Sequence, residues 1–311
     1  MRNSLHTFAL TLTLGAGAAL AAPAGSGPWP AIMEADAGLP THTVYRPARL
    51  PADPLPIVAF ANGGCENAGN RFGPFLTEIA SHGYLVVAIG PIVPAGQARV
   101  PPAPGSPAAA HPELAGSTSL APGSTRPSPT YAAQLIQAID WALAENARPG
   151  SPYQGKLDRS RIAVMGQSCG GLQAIDAAHD PRVRTLAVLN SGVFPAPGRS
   201  WEIAAAHADI ADLATLHGSV LYLTGDPQDA AFPQSEDNYA RTNHIPAVRL
   251  WRENTPHMGT YREENGGAFG TVVVAWLDWQ LKGNREAAHQ FLGAGCDLCT
   301  RPEWHVQSKG F

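Results

Sequence analysis

The fold prediction rests on one stretch, Arg161-Ile162-Ala163-Val164-Met165-Gly166-Gln167-Ser168-Cys169-Gly170, in which an apolar run leads into a Gly-x-Ser-x-Gly pentapeptide. The apolar run predicts a buried β-strand, and residues 171–178 have the pattern of a helix. The turn between them is so tight that the serine backbone is strained and side chains two residues to either side have no room. Gly166 and Gly170 meet that demand. We therefore predict a nucleophile elbow, which lifts the Ser168 hydroxyl out of the sheet.

The remaining apolar runs alternate with helical patterns along the chain. Buried strands are predicted at 57–61, 84–89, 184–189, 219–223 and 248–251, an edge strand at 41–46, and helices at 72–82, 131–147 and 267–281. Residues 22–40 are expected to be irregular, and 248–251 to be the last strand. Apolar strands that alternate with helices are typical of an α/β fold, with a mostly parallel central sheet and helices on both faces. The length of 311 residues fits a single domain of this class over residues 22–311.

The N-terminus has the pattern of a secretory signal peptide. A short basic start is followed by an apolar run from Phe8 to Leu20 and by Ala19-Leu20-Ala21, an Ala-x-Ala cleavage pattern. The run is too short to span a bilayer as an anchor, and no later apolar stretch reaches that length. We therefore expect cleavage after Ala21, removal of residues 1–21, and a secreted or periplasmic protein without a membrane span.

Composition narrows the classes of partner. The chain carries 21 basic and 25 acidic residues, a net charge of −4, and no basic run stands out, which argues against nucleic acid as a partner. Nothing in the sequence implies a cofactor or a metal, and the oligomeric state is left open. Residues 91–130 are rich in proline, which predicts a loop insertion that either overhangs the site or is a surface excursion without a role.

A serine hydroxyl becomes a nucleophile only with a base in hydrogen-bond reach and an acid that orients the base. In a fold with this elbow the order along the chain is Ser, acid, His, so both partners are sought after Ser168. Two aspartates follow the strand at 219–223. Asp229 is placed beyond the strand end and is the preferred acid, whereas Asp226 abuts a proline and is expected to shape the turn. His257 lies between the last predicted strand and the closing helix, and is the predicted base.

Four other histidines follow Ser168, and their positions in the predicted elements do not suit the base. His179 would end the helix after the elbow, His207 and His217 fall in helical stretches, and His244 precedes the last predicted strand. We expect these four to be exposed or helix-end side chains.

Two cysteines are predicted to supply the backbone N–H groups of an oxyanion hole. The Cys169 N–H follows the serine at a helix N-terminus, and the second donor is expected from Asn62-Gly63-Gly64-Cys65, because glycines let that backbone approach a substrate carbonyl. Cys65 is the preferred second donor and Gly64 is the alternative. If both donors are cysteines, their Cα atoms can be close enough for a disulfide that clamps the hole. The alternative is a pair of buried free thiols.

Cys296 and Cys299 lie three residues apart near the C-terminus. Export places cysteines in an oxidising compartment, which favours a short-loop disulfide that staples the tail. Zinc is the alternative, because His289 and His305 flank the pair.

The elbow, the Gly225-x-x-Asp229 loop and the Pro256-His257-Met258-Gly259 loop together resemble the α/β-hydrolase superfamily. Within it, the chain is most similar to a secreted branch of dienelactone-hydrolase-like esterases, cutinases and bacterial polyester hydrolases. The resemblance covers nearly the whole mature chain. Polyester hydrolases of this branch tend to have an aromatic residue and a methionine where this chain has Cys65 and Cys169.

The resemblance implies an exported serine hydrolase that cleaves carboxylic esters, small or polymeric, through an acyl-enzyme intermediate. Its catalytic residues would be Ser168, Asp229 and His257, and its oxyanion hole would use Cys65 and Cys169. Two alternatives stay open: an acyltransferase or peptidase with the same triad, and a non-catalytic binding protein on a hydrolase scaffold.

Overall fold

A computed structural model of the protein describes residues 24–94, 130–194 and 208–311. The predicted signal peptide at 1–21 lies outside the described residues, as do His207 and all but the ends of the predicted insertion at 91–130. The described ends of that insertion, residues 91–94 and 130, belong to no helix or strand.

One sheet forms the centre of the described structure. Its strands are β1 (Ala31–Glu34), β2 (His42–Pro47), β3 (Leu55–Ala61), β4 (Leu85–Ile89), β5 (Leu157–Gln167), β6 (Val183–Leu189), β7 (Ser219–Thr224), β8 (Ala247–Arg252) and β9 (Trp304–Lys309). They lie in the order β1-β2-β4-β3-β5-β6-β7-β8-β9. Neighbours among β3 to β8 pair in parallel, whereas β1, β2 and β9 are added at the edges in antiparallel pairs. The predicted α/β class with a mostly parallel sheet is confirmed.

Helices cover both faces of this sheet. They are α1 (Gly73–Ser81), α2 (Ala133–Ala147), α3 (Cys169–Ala177), α4 (Phe232–Arg241), α5 (Gly267–Lys282) and α6 (Arg285–Ala288). Side chains alternate along β3: Ile57 and Ala59 share a core with α2 and α3, and Val58 and Phe60 share the opposite core with α1 and α5. In the described parts of the chain, no helix is both long and apolar enough to cross a membrane.

Predictions at the sheet edges are wrong in three respects. Residues 22–40 contain β1, which pairs with β2, so the predicted strand at 41–46 is not an edge strand. The strand at 248–251, seen as β8, is not the last, because β9 pairs with its outer side. Each of the two missed strands has only one buried residue, so periodicity alone does not reveal them. Strand β9 forms its hydrogen bonds with β8, which is distant in sequence. Strand β1 forms its hydrogen bonds with β2, from which a turn separates it.

Helix α4 is not among the predicted elements, because its sequence is mostly polar and has few large apolar residues to mark a buried face. It buries Ser235 and Asn238 instead. The Asn238 side chain accepts a hydrogen bond from Val193 N at 2.6 Å and donates one to Val193 O at 2.9 Å. A second error concerns His217, which precedes β7 in an irregular stretch rather than in a helix.

Candidate active site

Ser168 occupies the turn between β5 and α3. The strand ends at Gln167 and the helix begins at Cys169, and Ser168 between them has φ 53° and ψ −120°, which L-residues rarely adopt. A Cβ atom on Gly166 would lie 2.0 Å from the Gly170 carbonyl oxygen, and one on Gly170 would collide with the backbone of β3. Both positions therefore require glycine, as predicted from the pentapeptide.

The structure brings Ser168, His257 and Asp229 together at the carboxyl ends of the parallel strands. Ser168 Oγ lies 2.9 Å from His257 Nε2, and His257 Nδ1 lies 2.6 Å from Asp229 Oδ1. Asp229 follows β7 and His257 follows β8, so the connections after three parallel strands meet at this point. The carboxylate and the imidazole belong to residues only 2% and 7% exposed, whereas Ser168 is partly exposed.

Both oxygens of the Asp229 carboxylate accept hydrogen bonds. Oδ1 accepts from His257 and from Ala231 N at 2.9 Å, and Oδ2 accepts from Gly225 N at 3.0 Å and Asn190 Nδ2 at 2.7 Å. Burial alone would raise the pKa of this carboxyl, but the hydrogen bond and charge of the imidazole, with the other donors, lower that pKa below its usual value. The carboxylate is therefore held as an anion facing the imidazole, which fixes the proton on His257 Nδ1 and leaves Nε2 as the acceptor for the serine hydroxyl.

The competing residues lie in other contacts. Asp226 Oδ1 accepts from Gln228 N at 2.9 Å, which is the turn-shaping role predicted for it. His179 and His244 make hydrogen bonds with the backbone carbonyls of Asp212 and Leu216. The geometry therefore selects one acid and one base from the candidates after the serine that fall in described residues.

The loop after β3 approaches the elbow from the other side. It forms a 3₁₀ turn over Gly63–Cys65, and Cys65 has a positive φ of 49°. A disulfide joins Cys65 to Cys169, with Cα atoms 5.3 Å apart and 104 residues of sequence between them. Both residues are buried, at 3% and 2% exposure. Of the two possibilities that the sequence left open, the disulfide is confirmed and the pair of free thiols is wrong.

A hydrogen-bonded link runs beside this disulfide. Thr130 Oγ1 donates to the Cys65 carbonyl oxygen at 2.9 Å, and Gln173 Nε2 on α3 donates to the Thr130 carbonyl oxygen at 3.0 Å. The loop after β3 is therefore tied to α3 both covalently and through Thr130, and neither Thr130 nor Gln173 was identified from sequence.

Gln167, the residue before the serine, connects the elbow to the histidine loop. Its Nε2 donates to the His257 carbonyl oxygen at 3.1 Å, and its Oε1 lies 1.9 Å from where a Cβ on Gly63 would be. Gln167 is 1% exposed, so the amide is packed between the two loops. Its position inside the pentapeptide, directly before Ser168, could have identified it as a site residue from the sequence.

Asn190 and Tyr261 are two further residues at the site that sequence reasoning missed. Asn190 follows β6 directly, and a polar residue at the carboxyl end of a buried strand next to β5 was an available signal. Tyr261 lies four residues after His257, and nothing in its sequence context pointed to the site. The two contact each other, with Tyr261 Oη donating to Asn190 Oδ1 at 2.5 Å.

The tail cysteines also form a disulfide, between Cys296 and Cys299, with Cα atoms 4.9 Å apart. This confirms the predicted staple and leaves neither thiolate for zinc, so that alternative is wrong. Two disulfides are compatible with a protein that folds in an oxidising compartment.

The arrangement places a hydroxyl, an imidazole and a carboxylate in one line, with a helix N-terminus beside the hydroxyl. Such a line can move a proton from the hydroxyl while the oxygen attacks an electrophilic carbon. The chain matches no protein-family model, and its comparison with curated proteins gives no match. The functional assignment therefore rests on the geometry of the site.

Proposed function

We propose that the protein is an exported serine hydrolase of carboxylic esters with an α/β-hydrolase fold. The observation that carries the proposal is the pair of distances that join Ser168 Oγ to His257 Nε2 and His257 Nδ1 to Asp229 Oδ1. The chain order Ser, Asp, His, and the position of each residue after β5, β7 and β8, match what the resemblance to that superfamily implies.

The first half of the reaction forms an acyl-enzyme. Ser168 Oγ bonds to the ester carbonyl carbon while its proton passes to His257 Nε2, and Asp229 stabilises the imidazolium that results. The tetrahedral intermediate then collapses, the carbon–oxygen bond to the alcohol breaks, and the leaving oxygen takes the proton from Nε2.

The second half releases the acid. Water loses a proton to His257 Nε2 as its oxygen bonds to the acyl carbon. The bond between the acyl carbon and Ser168 Oγ then breaks, and Oγ takes the proton back from Nε2. The carboxylic acid leaves, and the enzyme is restored without any change in the charge of Asp229.

The negative charge that develops on the carbonyl oxygen requires donors on the other side of the serine. Cys169 is the first residue of α3, so its N–H has no carbonyl partner within the helix and faces the helix N-terminus. We assign it as one oxyanion donor and the Cys65 N–H as the other, with Gly64 as the alternative. The disulfide between the two cysteines supports the assignment, because it keeps both backbones beside the same carbonyl oxygen.

The test is hydrolysis of p-nitrophenyl esters of increasing acyl length by the mature protein and by Ser168→Ala. We expect wild-type turnover and a loss of at least about 10⁴-fold in the variant, since the nucleophile is removed. Ser160→Ala is the matched control, because that exposed hydroxyl lies at the far end of β5 and donates to Asp158 Oδ1 at 2.7 Å. The control should retain wild-type activity.

A fluorophosphonate probe separates the remaining alternatives. Labelling of the wild type and not of Ser168→Ala, with ester turnover, supports the hydrolase. Labelling with acyl transfer to added alcohol in preference to water indicates an acyltransferase, and cleavage of peptides without cleavage of esters indicates a peptidase. Neither labelling nor turnover would contradict the proposal and favour a binding protein.

A further inference from the structure

We propose that Asn190 and Tyr261 are positioning residues for Asp229, so that the catalytic line extends from Ser168 to Tyr261 through five side chains. The inference rests on the proposed ester hydrolase, and it assigns roles to two residues outside the triad. The contacts that carry it are Tyr261 Oη to Asn190 Oδ1 at 2.5 Å and Asn190 Nδ2 to Asp229 Oδ2 at 2.7 Å.

The direction of each hydrogen bond follows from the chemistry of the groups. An ionised carboxylate only accepts, so the NH₂ group of Asn190 must face Asp229, and its carbonyl oxygen must face Tyr261. The Tyr261 hydroxyl is then the donor. Burial, followed by the charge of Asp229, holds the pKa of Tyr261 well above its usual value, so the hydroxyl keeps the proton that it donates.

The backbone conformation of Asn190 favours asparagine at this position and places the residue beside Asp229. Asn190 has φ 42°, in the left-handed region that asparagine enters more readily than most residues. Its N–H donates to Leu223 O on β7 at 2.7 Å, so the residue lies against the strand that leads to Asp229. Asn190 is fully buried, which leaves its amide no solvent partner.

Tyr261 is anchored by aromatic rings. It is fully buried and meets Phe72, Phe75 and Phe269 edge to face, with ring centroids 5.0 to 5.5 Å away. These contacts fix the direction of the hydroxyl without using it. Removal of the hydroxyl alone therefore leaves the ring in place and removes one donor from the line.

The line has a predictable effect on the triad. A donated hydrogen bond polarises the Asn190 amide, which strengthens the bond from Nδ2 to Oδ2 and withdraws charge from the Asp229 carboxylate. When that support is lost, the carboxylate rotates more freely and carries more charge toward His257. Freer rotation of the carboxylate lowers kcat. The added negative charge attracts the imidazolium more strongly and moves the acidic limb of the kcat/KM profile to higher pH.

Two other ionisable side chains in the adjoining segments make hydrogen bonds outside this line. Asp226, in the same loop as Asp229, accepts from Gln228 N, and Arg252 at the end of β8 donates to Thr255 Oγ1. The ionisable side chains within the line are Asp229, His257 and Tyr261.

The experiment compares Tyr261→Phe with Tyr222→Phe. Tyr222 is also fully buried, and its hydroxyl is paired with Thr242 Oγ1 at 2.9 Å, outside the site. Each variant loses one buried hydroxyl and leaves one partner, so their losses of stability should be similar. We expect only Tyr261→Phe to lower kcat/KM, by about threefold to tenfold, and to shift the acidic limb upward.

Asn190→Asp supplies a second, stronger variant, because aspartate tolerates the positive φ and has the same shape. It replaces the donor to Asp229 Oδ2 with a carboxylate, and we expect kcat/KM to fall by about 10- to 100-fold at pH 8. The loss should shrink at lower pH, where the two carboxyl groups share a proton. Chemical shifts of the His257 Nδ1 proton, read by NMR in all variants, report the same change without turnover.

The outcomes separate this inference from the proposed function. If Tyr261→Phe and Tyr222→Phe have the same pH profile and the same His257 signal, the positioning role is wrong while Ser168-dependent hydrolysis stands. If wild type and Ser168→Ala are equally inactive on esters, the proposed function fails, and the NMR signal still decides whether the line reaches His257.

Discussion

The two halves of the site are held by different forces. The acid–base half, Asp229 and His257, is positioned by hydrogen bonds from Gly225, Ala231 and Asn190. The oxyanion half, by which we mean the loops that carry the proposed oxyanion donors Cys65 and Cys169, is joined by a disulfide that spans 104 residues of sequence. The acid–base half is held by hydrogen bonds alone, whereas the oxyanion half has a covalent link between two side chains in addition to its hydrogen bonds through Thr130.

The difference follows from what each half does in the proposed reaction. The imidazole gains and loses a charge twice in each cycle, and the hydrogen bonds that the Asp229 carboxylate accepts can respond to that charge. Oxyanion donors keep the same charge throughout and gain most from a fixed position, because a donor that must reorganise loses its advantage. Directional, polarisable bonds therefore suit the first half, and a covalent constraint suits the second.

The largest test of the acid–base half is Asp229→Asn. The amide cannot stabilise the imidazolium and selects the wrong ring tautomer, so we expect kcat to fall by about 10³- to 10⁴-fold. Steady-state hydrolysis of a p-nitrophenyl ester measures the change, and fluorophosphonate labelling should slow by a similar factor.

Asp226→Asn is the matched control, since it changes an aspartate three residues away that bonds to a backbone N–H rather than to the imidazole. It should retain wild-type kcat. Equal losses in both variants would show that the loop, and not the contact with His257, sets the activity.

The oxyanion half is tested by replacing both of its cysteines, in Cys65→Ala/Cys169→Ala. The N–H groups remain, but the loops are free to move, so we expect kcat to fall by about 10- to 100-fold with little change in KM. The matched control is Cys296→Ala/Cys299→Ala, which removes the tail disulfide and should leave kcat unchanged.

We also expect the two double-cysteine variants to differ in stability. In the chain-entropy model, a disulfide that closes a loop of about 100 residues contributes roughly 5 kcal/mol to the free energy of unfolding, and one that closes a four-residue loop roughly 2 kcal/mol. Denaturant unfolding measures both. An oxyanion-half variant that is less stable but has wild-type kcat would limit that disulfide to a structural role.

The elements of the fold that pack continuous apolar sequence could be predicted from the chain. Strands β3 to β8 read as apolar runs, and the glycines of the elbow are required by contacts as close as 2.0 Å. The candidate triad followed from the same reasoning, because the order of Ser, acid and His is tied to the strands that precede them. Asp229 was distinguishable from Asp226 by its distance from the strand end.

Residues that act through a neighbour could not be predicted in the same way. Tyr261 and Gln173 reach the site through contacts that span 71 and 43 residues, and no local pattern encodes such pairs. Strand β9 and helix α4 were not predicted for a related reason. Their sequences are mostly polar, and contacts with neighbouring elements stabilise them. The line from Ser168 to Tyr261 could be identified only from the structure, because it depends on contacts between loops that are far apart in sequence.

The smallest expected effect is a difference between the two halves in how their contribution to the unfolding free energy depends on pH. Because the folded pKa of Asp229 lies below its unfolded value, the ionised carboxylate stabilises the fold above about pH 4, and this contribution is lost as pH falls through the folded pKa. The difference in unfolding free energy between wild type and Asp229→Asn should therefore shrink below about pH 4, by no more than about 1.4 kcal/mol per pH unit. The corresponding difference for Cys65→Ala/Cys169→Ala should stay constant over the same range, because a disulfide binds no protons. Urea unfolding from pH 3 to pH 7 measures both differences, and parallel curves for the two variants would remove the electrostatic distinction between the halves.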